Sequence, residues 1–471
     1  MVDAILGASG FVGAHLVAHL PHAEKYNSKN LNLVEGRTFK HVYCTCIPAV
    51  KWKANSQPEE DATTIKEIKM KLMNITCDQF ILISTIDVMK NEPYGKNRLE
   101  FENWAREYFN NVRVIRLPAL FGIGLKKNVL FDMLTNNKVD SINLNDVYQW
   151  YDLRWLYDDI ASSTGDMNLY TEPVSVREIV MNFFPHLIGK INGKPNASSY
   201  TFKPWVKTRE EVLESMETFI RVWHNINKYS NLISVSSFHW QKSEDDVAFS
   251  ILKLFKINKI ELVPGKYTTT WAESDALKLR SYFNSNGFDI PSIQGIFWGM
   301  TDPKERLFAA SRFAKVIGAT KMVLGAPNFR SQLTREKFIE ILCEYNGETK
   351  LCIENVPRCY GADFGHTFED VCYLAKRSGH CVNLDLGNAD AERDSCDITN
   401  ELVKNIHISA KNLGNVKRGA FTCPKVSFTL EVNTGVENLN DNLYNTFSNF
   451  HEPKCLVIGA GWYGCHTAKM L

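Results

Sequence analysis

The sequence contains no C-x-x-C pair anywhere along its length. Its twelve cysteines are scattered, and the tightest spacing is the C-x-C of Cys44 and Cys46. Several cysteines lie inside apolar, strand-like segments, where a thiol behaves as a small hydrophobic side chain. We therefore interpret them as reduced, buried thiols of a cytoplasmic protein.

An excess of charge of one sign is also missing. The chain has 54 Lys and Arg against 53 Asp and Glu, which gives a formal net charge of +1. This balance argues against nucleic acid or an anionic membrane as the main partner. No uninterrupted apolar run approaches the roughly 20 residues that span a bilayer, and the first residues lack the basic segment and cleavage site of a signal peptide. We expect neither a membrane nor a nucleic-acid partner.

A length of 471 residues exceeds one ordinary hydrophobic core and predicts two or three domains. Over residues 1–185, strand-like runs alternate with helical patterns, which predicts a doubly wound parallel sheet with helices on both faces. The first strand is followed by Gly7, Gly10 and Gly13 in G-x-x-G-x-x-G spacing. Glycines there let the backbone approach a pyrophosphate at a helix N-terminus, so we expect these three to bind a dinucleotide.

Polar residues follow the strand "QFILIST", at the edge where ligands of such sheets lie. They are Ser84 and Thr85, and soon afterwards come Tyr94 and Arg98, one helical turn apart. With these residues the segment 1–185 resembles the extended short-chain dehydrogenase/reductase family, the sugar-nucleotide epimerases and dehydratases. The resemblance implies a Rossmann-like domain in which Thr85 (or Ser84) and Tyr94 assist proton transfer while a nicotinamide exchanges a hydride.

The segment departs from that family at the lysine of the Y-x-x-x-K motif. Arg98 stands there, and its planar guanidinium is not equivalent to an ammonium group. The second strand also ends at "KYNSKN" without the acid that binds a ribose 2′-hydroxyl, so NAD and NADP both remain open as the cofactor. A nucleotide-binding domain that has lost turnover is the alternative.

The segment 186–230 is predicted to be a linker that ends in an amphipathic helix. Over 231–452, eight strand-like runs are separated mostly by helical stretches, which predicts a (β/α)8 TIM barrel. Ionisable residues follow late in the fifth, sixth, seventh and eighth strands, and they are Glu354, Asp385, His407 and Glu431.

Four such groups on successive strands would converge at the carboxyl end of the barrel. Three carboxylates held together repel one another unless a cation is present. Carboxylate oxygens with one imidazole suit Mn²⁺ or Mg²⁺, with Zn²⁺ or Co²⁺ as alternatives. We therefore predict a divalent-metal site.

With these residues, the segment 231–435 resembles the xylose-isomerase-like superfamily of sugar and sugar-phosphate isomerases and epimerases. The resemblance implies that Glu354 and Glu431 handle the proton and also bind the metal, and that Asp385 and His407 complete the ligand set. Two positions depart from the superfamily's motifs, since Asn388 replaces the histidine of Asp-x-x-His and Ala410 stands where some relatives carry an acid.

Other polar and aromatic side chains come late in the first three barrel strands. They are His239, Glu261 and Trp298. For each of them alone we expect ordinary packing rather than a role in the site.

The last segment, 453–471, begins another strand, glycine-rich turn and helix. Gly459, Gly461 and Gly464 give the G-x-G-x-x-G spacing, which resembles the opening of an FAD- or NAD(P)-binding Rossmann domain. We expect this stub to be the start of a third domain cut short, and unable to bind a cofactor.

Together these patterns predict a multidomain carbohydrate-modifying enzyme. It would join an NAD(P)-dependent epimerase/dehydratase-like domain to a metal-dependent isomerase/epimerase-like barrel, act on a sugar, sugar phosphate or sugar nucleotide, and be monomeric or a homo-oligomer. The alternative is a non-catalytic sensor or scaffold that binds sugar nucleotides at degenerate sites.

Overall fold

The structure is a computed structural model in which the chain divides into two compact units, Met1–Trp223 and His224–Leu471. The division falls within a helix, Arg209–Tyr229, in the segment predicted to link the two domains. The residues described are 1–195, 201–297, 302–327, 333–398, 400–408, 426–431 and 435–448.

The first unit is built around a sheet of six parallel strands, with two smaller two-stranded sheets. The strands of the unit are β1 Ala4–Leu6, β2 Glu24–Tyr26, β3 Thr38–Cys44, β4 Thr76–Thr85, β5 Val112–Leu117, β6 Ala119–Phe121, β7 Val147–Tyr148, β8 Trp150–Asp152, β9 Met167–Asn168 and β10 Val174–Ser175. Its helices are α1 Phe11–His19, α2 Lys51–Ser56, α3 Pro58–Leu72, α4 Pro93–Tyr108, α5 Val129–Thr135, α6 Leu156–Ala161, α7 Val176–Phe183 and α8 Arg209–Tyr229.

The main sheet has the strand order β2-β1-β3-β4-β5-β9, and every neighbouring pair is parallel. The four residues from Phe80 to Ile83 in β4 are all buried, as expected for a strand whose two faces are both covered. The strand order changes direction between β1 and β3, and ligands of open parallel sheets bind at such a point.

The second unit contains a closed barrel of parallel strands. In barrel order these are β11 Ile233–Ser236, β12 Lys259–Leu262, β13 Asp289–Ile293, β14 Lys321–Gly325, β15 Lys350–Glu354, β16 Cys381–Asp385, β17 Val403–Ile408 and β18 Ser427–Leu430. The helices are α9 Asp245–Leu254, α10 Glu273–Ser285, α11 Pro303–Ile317, α12 Arg335–Glu344, α13 Phe368–Ser378, α14 Leu386–Ala391 and α15 Leu439–Ser448.

Polar side chains fill much of the barrel interior, where Val, Ile and Leu usually predominate. Glu261 of β12 accepts hydrogen bonds from the Ser292 hydroxyl of β13 (2.6 Å) and from the Thr429 hydroxyl of β18 (3.4 Å). Because β11 lies between β12 and β18 in the barrel, the second bond crosses the interior. The two hydroxyls satisfy this buried oxygen, Glu261 Oε2, which is the condition for keeping it out of water.

The predicted fold class, a parallel α/β sheet followed by an eight-stranded parallel barrel, is confirmed at this level. The stub with Gly459, Gly461 and Gly464 lies outside the described residues, and the domain limits drawn from the sequence stay predictions. Within the described ranges, no helix combines the length and the apolar character needed to cross a membrane.

Candidate functional site

The barrel brings the four predicted metal ligands together at the carboxyl ends of adjacent strands. Each offers one ligand atom, and these atoms all lie within 4.8 Å of one another. Two ligands on opposite sides of a divalent ion would be about 4.2 Å apart when each bond is about 2.1 Å long, so this spread is close to that of one coordination sphere. We call the set the four-residue cluster: Glu354, Asp385, His407 and Glu431.

The His407 ring lies at the centre of this cluster and is completely buried. Its Nδ1 is 2.8 Å from Glu354 Oε1 and 3.8 Å from Asp385 Oδ2, and it also contacts Glu431 Oε2. None of these contacts has the geometry of a hydrogen bond, and neither has the contact of the other ring nitrogen, Nε2, with Glu261 Oε1. A buried ring nitrogen that faces three carboxylate oxygens without a shared proton fits a metal ligand, and the donor set fits a divalent ion.

Electrostatic repulsion makes the cluster unstable in its fully ionised form. Two carboxylates about 4 Å apart repel by about 4 kcal/mol at an effective dielectric constant of about 20, and three such pairs rival the total stability of a typical domain. Burial, together with the charges of Glu354 and Glu431, accordingly raises the pKa of Asp385 to about 8. Burial also raises the pKa of Glu354. The cluster therefore requires protons or a cation.

The histidine responds to the same field. Burial alone would lower the pKa of His407, but the surrounding carboxylates, led by that of Glu261, raise it well above its ordinary value. Burial would raise the pKa of Glu261, whereas His407 and the Ser292 hydroxyl lower it.

Hydrogen bonds from neighbouring amides hold two of the carboxylates in place. The Asn383 side chain donates to Glu354 Oε1 (2.7 Å), and the backbone N–H of Asn388 donates to Asp385 Oδ1 (2.7 Å). The Asn388 side chain itself donates to the backbone carbonyl of Asn355 (2.9 Å). The residue that replaces the expected histidine therefore supports the loop and does not supply a further ligand.

Glu261 is the site residue whose role the sequence did not predict. We expected it to pack, but its side chain is completely buried and its Oε1 lies 2.8 Å from His407 Nε2. A single acidic residue in the apolar run "IELV" was the available signal. His239 is buried as expected, while Trp298 and Ala410 lie outside the described residues.

In the first unit, the predicted glycines form a tight turn between β1 and α1. Gly7 has a φ of +90°, and a Cβ on Gly13 would lie only 2.1 Å from the carbonyl oxygen of Gly7. The first turn of α1 follows Gly10, and no side chain caps it. Gly7 and Gly13 thus permit close packing, while the free N–H groups after Gly10 are available to an anion.

The predicted hydroxyl groups are engaged in local contacts. Ser84 Oγ donates to Glu102 Oε1 (2.5 Å), and Glu102 is also bound by Arg116. Thr85 Oγ1 accepts the backbone N–H of Asp87 (3.2 Å) and thereby caps the turn after β4. Both hydroxyls therefore have structural partners at the sheet edge.

Arg98 is bound in a buried ion pair rather than presented to a cofactor. Its guanidinium contacts both oxygens of Asp61 in α3, one at 3.0 Å, and the carbonyl of Pro48. It also lies over the Tyr94 ring, 4.0 Å from the centroid. Burial raises the pKa of Tyr94 to about 12, although Arg98 acts in the opposite direction. Proton transfer near neutrality needs a lowered tyrosine pKa, so this environment disfavours it.

No protein-family model and no curated protein matches the chain. Among solved structures, the chain is similar to UDP-glucose 4-epimerase from Thermotoga maritima, at 16% identity over 44% of this chain and 90% of that chain, with a TM-score of 0.35. It is similar to UDP-glucuronic acid 4-epimerase from Bacillus cereus, at 16% identity over 47% and 93%, with a TM-score of 0.34.

A xylose isomerase domain-containing protein from Salmonella typhimurium LT2 is also similar, at 15% identity over 46% of this chain and 94% of that chain, with a TM-score of 0.36. Each of these similarities covers less than half of the chain. We therefore infer function from the geometry of the chain's own residues.

The buried pair of Arg98 and Asp61 predicts a specific pattern of stability. Arg98→Met should destabilise the first unit by about 3–5 kcal/mol, because it leaves the buried Asp61 carboxylate without a counter-charge and with only the Asn97 amide donating to it, and adding Asp61→Leu should restore most of the loss. Urea denaturation, followed through the unfolding transition of the first unit, measures the free energy of unfolding of the single and the double variant. The exposed pair of Arg37 and Glu24 is the control, and Arg37→Met should cost less than about 1 kcal/mol. Equal effects of the two arginine substitutions would contradict a structural role for Arg98.

Proposed function

We propose that the barrel is a divalent-metal-dependent isomerase or epimerase of a sugar or sugar phosphate. The observation that carries this proposal is the convergence of three carboxylates and one imidazole, from four adjacent strands, within 4.8 Å. A cation bound between buried carboxylates at this spacing offsets their mutual repulsion. A purely structural role would be served better by apolar side chains.

The more open members of the cluster are the candidates for moving a proton. The side chains of Glu431 and Glu354 are 20% and 14% exposed, whereas His407 is completely buried. A bound divalent ion would supply positive charge to sugar oxygens as negative charge develops on them. Glu431 or Glu354 would then remove a proton from the carbon beside the sugar carbonyl and return it to the neighbouring carbon or the opposite face.

The remaining two members are better suited to fixed ligation. Asp385 Oδ1 is held by the Asn388 backbone, and the backbone of Asp385 is held on both sides by the Asn355 side chain at 2.8 and 2.9 Å. His407 has no exposed surface. Groups fixed in this way lose little entropy when they bind a metal and keep a constant geometry during the reaction.

For the first unit we propose binding of NAD or NADP without hydride transfer. The uncapped glycine turn at the start of α1 supports pyrophosphate binding. The ion pair of Arg98 with Asp61 and the raised pKa of Tyr94 argue against the proton-transfer half of the reaction. The unit would then act as a cofactor sensor or scaffold in a chain whose catalytic unit is the barrel.

The proposed barrel chemistry predicts metal-dependent hydrogen exchange. Incubated in D₂O with Mn²⁺ and a panel of aldoses, ketoses and their phosphates, the protein should incorporate deuterium into at least one of them, as detected by mass spectrometry. EDTA should abolish the exchange. Glu431→Gln should slow it at least about 100-fold, since that is the range of general acid–base catalysis.

The matched control is Glu437→Gln, which alters an exposed acid on the same segment outside the cluster. This variant should exchange at the wild-type rate. Exchange that persists in EDTA, or none with any member of the panel, would contradict the proposed function.

The proposed role of the first unit predicts binding without turnover. At least one of NAD⁺, NADH, NADP⁺ and NADPH should quench the intrinsic tryptophan fluorescence, and the absorbance of bound nicotinamide should not change when sugar nucleotides are added. Ser9→Glu should abolish binding, because it places a negative charge in the exposed glycine turn. Ser162→Glu, at an exposed serine after α6, is the control. A redox change of the nicotinamide would refute the absence of hydride transfer.

A further inference from the structure

We infer that Glu261 is a positioning residue that orients the His407 ring and keeps its Nδ1 directed at the metal site. This inference rests on the proposed metal-dependent function of the barrel. It assigns a role to a strand, β12, that contributes no member of the four-residue cluster.

The geometry separates the two ring nitrogens by their partners. Nε2 of His407 is 2.8 Å from Glu261 Oε1, a close ionic contact without hydrogen-bond geometry, while Nδ1 faces the carboxylates of the cluster. Glu261 therefore touches the edge of the ring that points away from the cluster, and it does not share the ligand position. Both side chains are completely buried, so water is not an alternative partner for either.

Glu261 is itself fixed from the other side. Its Oε2 accepts hydrogen bonds from the hydroxyls of Ser292 (2.6 Å) and Thr429 (3.4 Å). The carboxylate is thus anchored to β13 and β18, and its second oxygen is left for the ring of His407. This arrangement leaves the imidazole little freedom to rotate or to turn over.

The chemistry of imidazole gives this contact its consequence. A neutral ring carries one N–H, and the partner of one nitrogen decides which nitrogen keeps the lone pair. A carboxylate at Nε2 takes the N–H, so the lone pair at Nδ1 is directed at the cluster. Carboxylates in this position orient metal-binding histidines and make them more basic, and their loss typically costs 10–100-fold in metal affinity.

Another buried acid of the same unit shows what a purely structural carboxylate looks like. Asp245 accepts hydrogen bonds from Trp240 Nε1 (2.7 Å), Tyr267 OH (2.8 Å) and Tyr282 OH (2.7 Å). Those three donors explain how the Asp245 carboxylate can be buried. Glu261 instead lies against a ring whose other nitrogen reaches the cluster.

The test is the affinity of the purified full chain for Mn²⁺, measured by isothermal titration calorimetry. Glu261→Gln keeps the size of the side chain and removes its charge, and it should weaken Mn²⁺ binding by about 10–100-fold. Ser292→Ala, which only loosens Glu261, should weaken it less. Asp245→Asn makes the same acid-to-amide change at a buried position outside the cluster, and it should leave the Mn²⁺ affinity unchanged even if it lowers the melting temperature.

The visible absorption spectrum of the Co²⁺-loaded protein is the second readout, because it reports the ligand field and not stability. Glu261→Gln should shift the Co²⁺ bands, and Asp245→Asn should not. Unchanged affinity and unchanged bands in Glu261→Gln would overturn the inference, as would equal loss of affinity in Asp245→Asn. If the wild-type protein binds no divalent ion at all, the proposed function itself fails.

Discussion

The repulsion among the carboxylates around His407 is the constraint on which the proposed chemistry of the barrel depends. Three carboxylates whose oxygens lie within 4.8 Å of one another and of the His407 ring cannot all stay ionised in a buried site without a positive charge between them. The raised pKa of Asp385 is one expression of that cost. In the proposed function, a divalent cation would relieve this cost and keep the acids available for ligation and proton transfer.

The barrel holds this unfavourable arrangement together through its polar interior. Amide and hydroxyl groups on neighbouring strands donate hydrogen bonds to the cluster and to the acid behind it, as Asn383 does to Glu354 and Ser292 to Glu261. Buried polar groups that stay unpaired are costly, and the two ring nitrogens of His407 make no hydrogen bond in the structure. The network has its value because it fixes side chains before any ligand arrives, and preorganisation of this kind lets a site stabilise charge at low cost.

Much of this architecture could be predicted from the sequence, because strand ends are local signals. Glu354, Asp385 and His407 each lie late in an apolar strand, and parallel strands place such ends at one mouth of a barrel. The roles of Glu261 and Asp61 could not be predicted in the same way. Each depends on a partner far along the chain, His407 and Arg98, and nothing local shows which distant side chain a buried acid will meet.

The two units also differ in how well the residues implied by a family resemblance match the contacts in the structure. In the barrel the resemblance and the geometry agree on the same residues. In the first unit the fold and the glycine turn are present, but Arg98 is bound in a buried ion pair with Asp61 and lies over the Tyr94 ring. A motif of the right spacing therefore does not by itself establish the chemistry of its residues.

The most direct test is anomalous X-ray diffraction from crystals of the full chain grown with Mn²⁺. A metal centre predicts one strong anomalous peak between Glu354, Asp385, His407 and Glu431, and its loss in crystals of Asp385→Asn grown in the same way. A map without a peak at that position, in crystals that hold Mn²⁺ at saturating concentration, would contradict the assignment of the barrel as a metal-dependent enzyme.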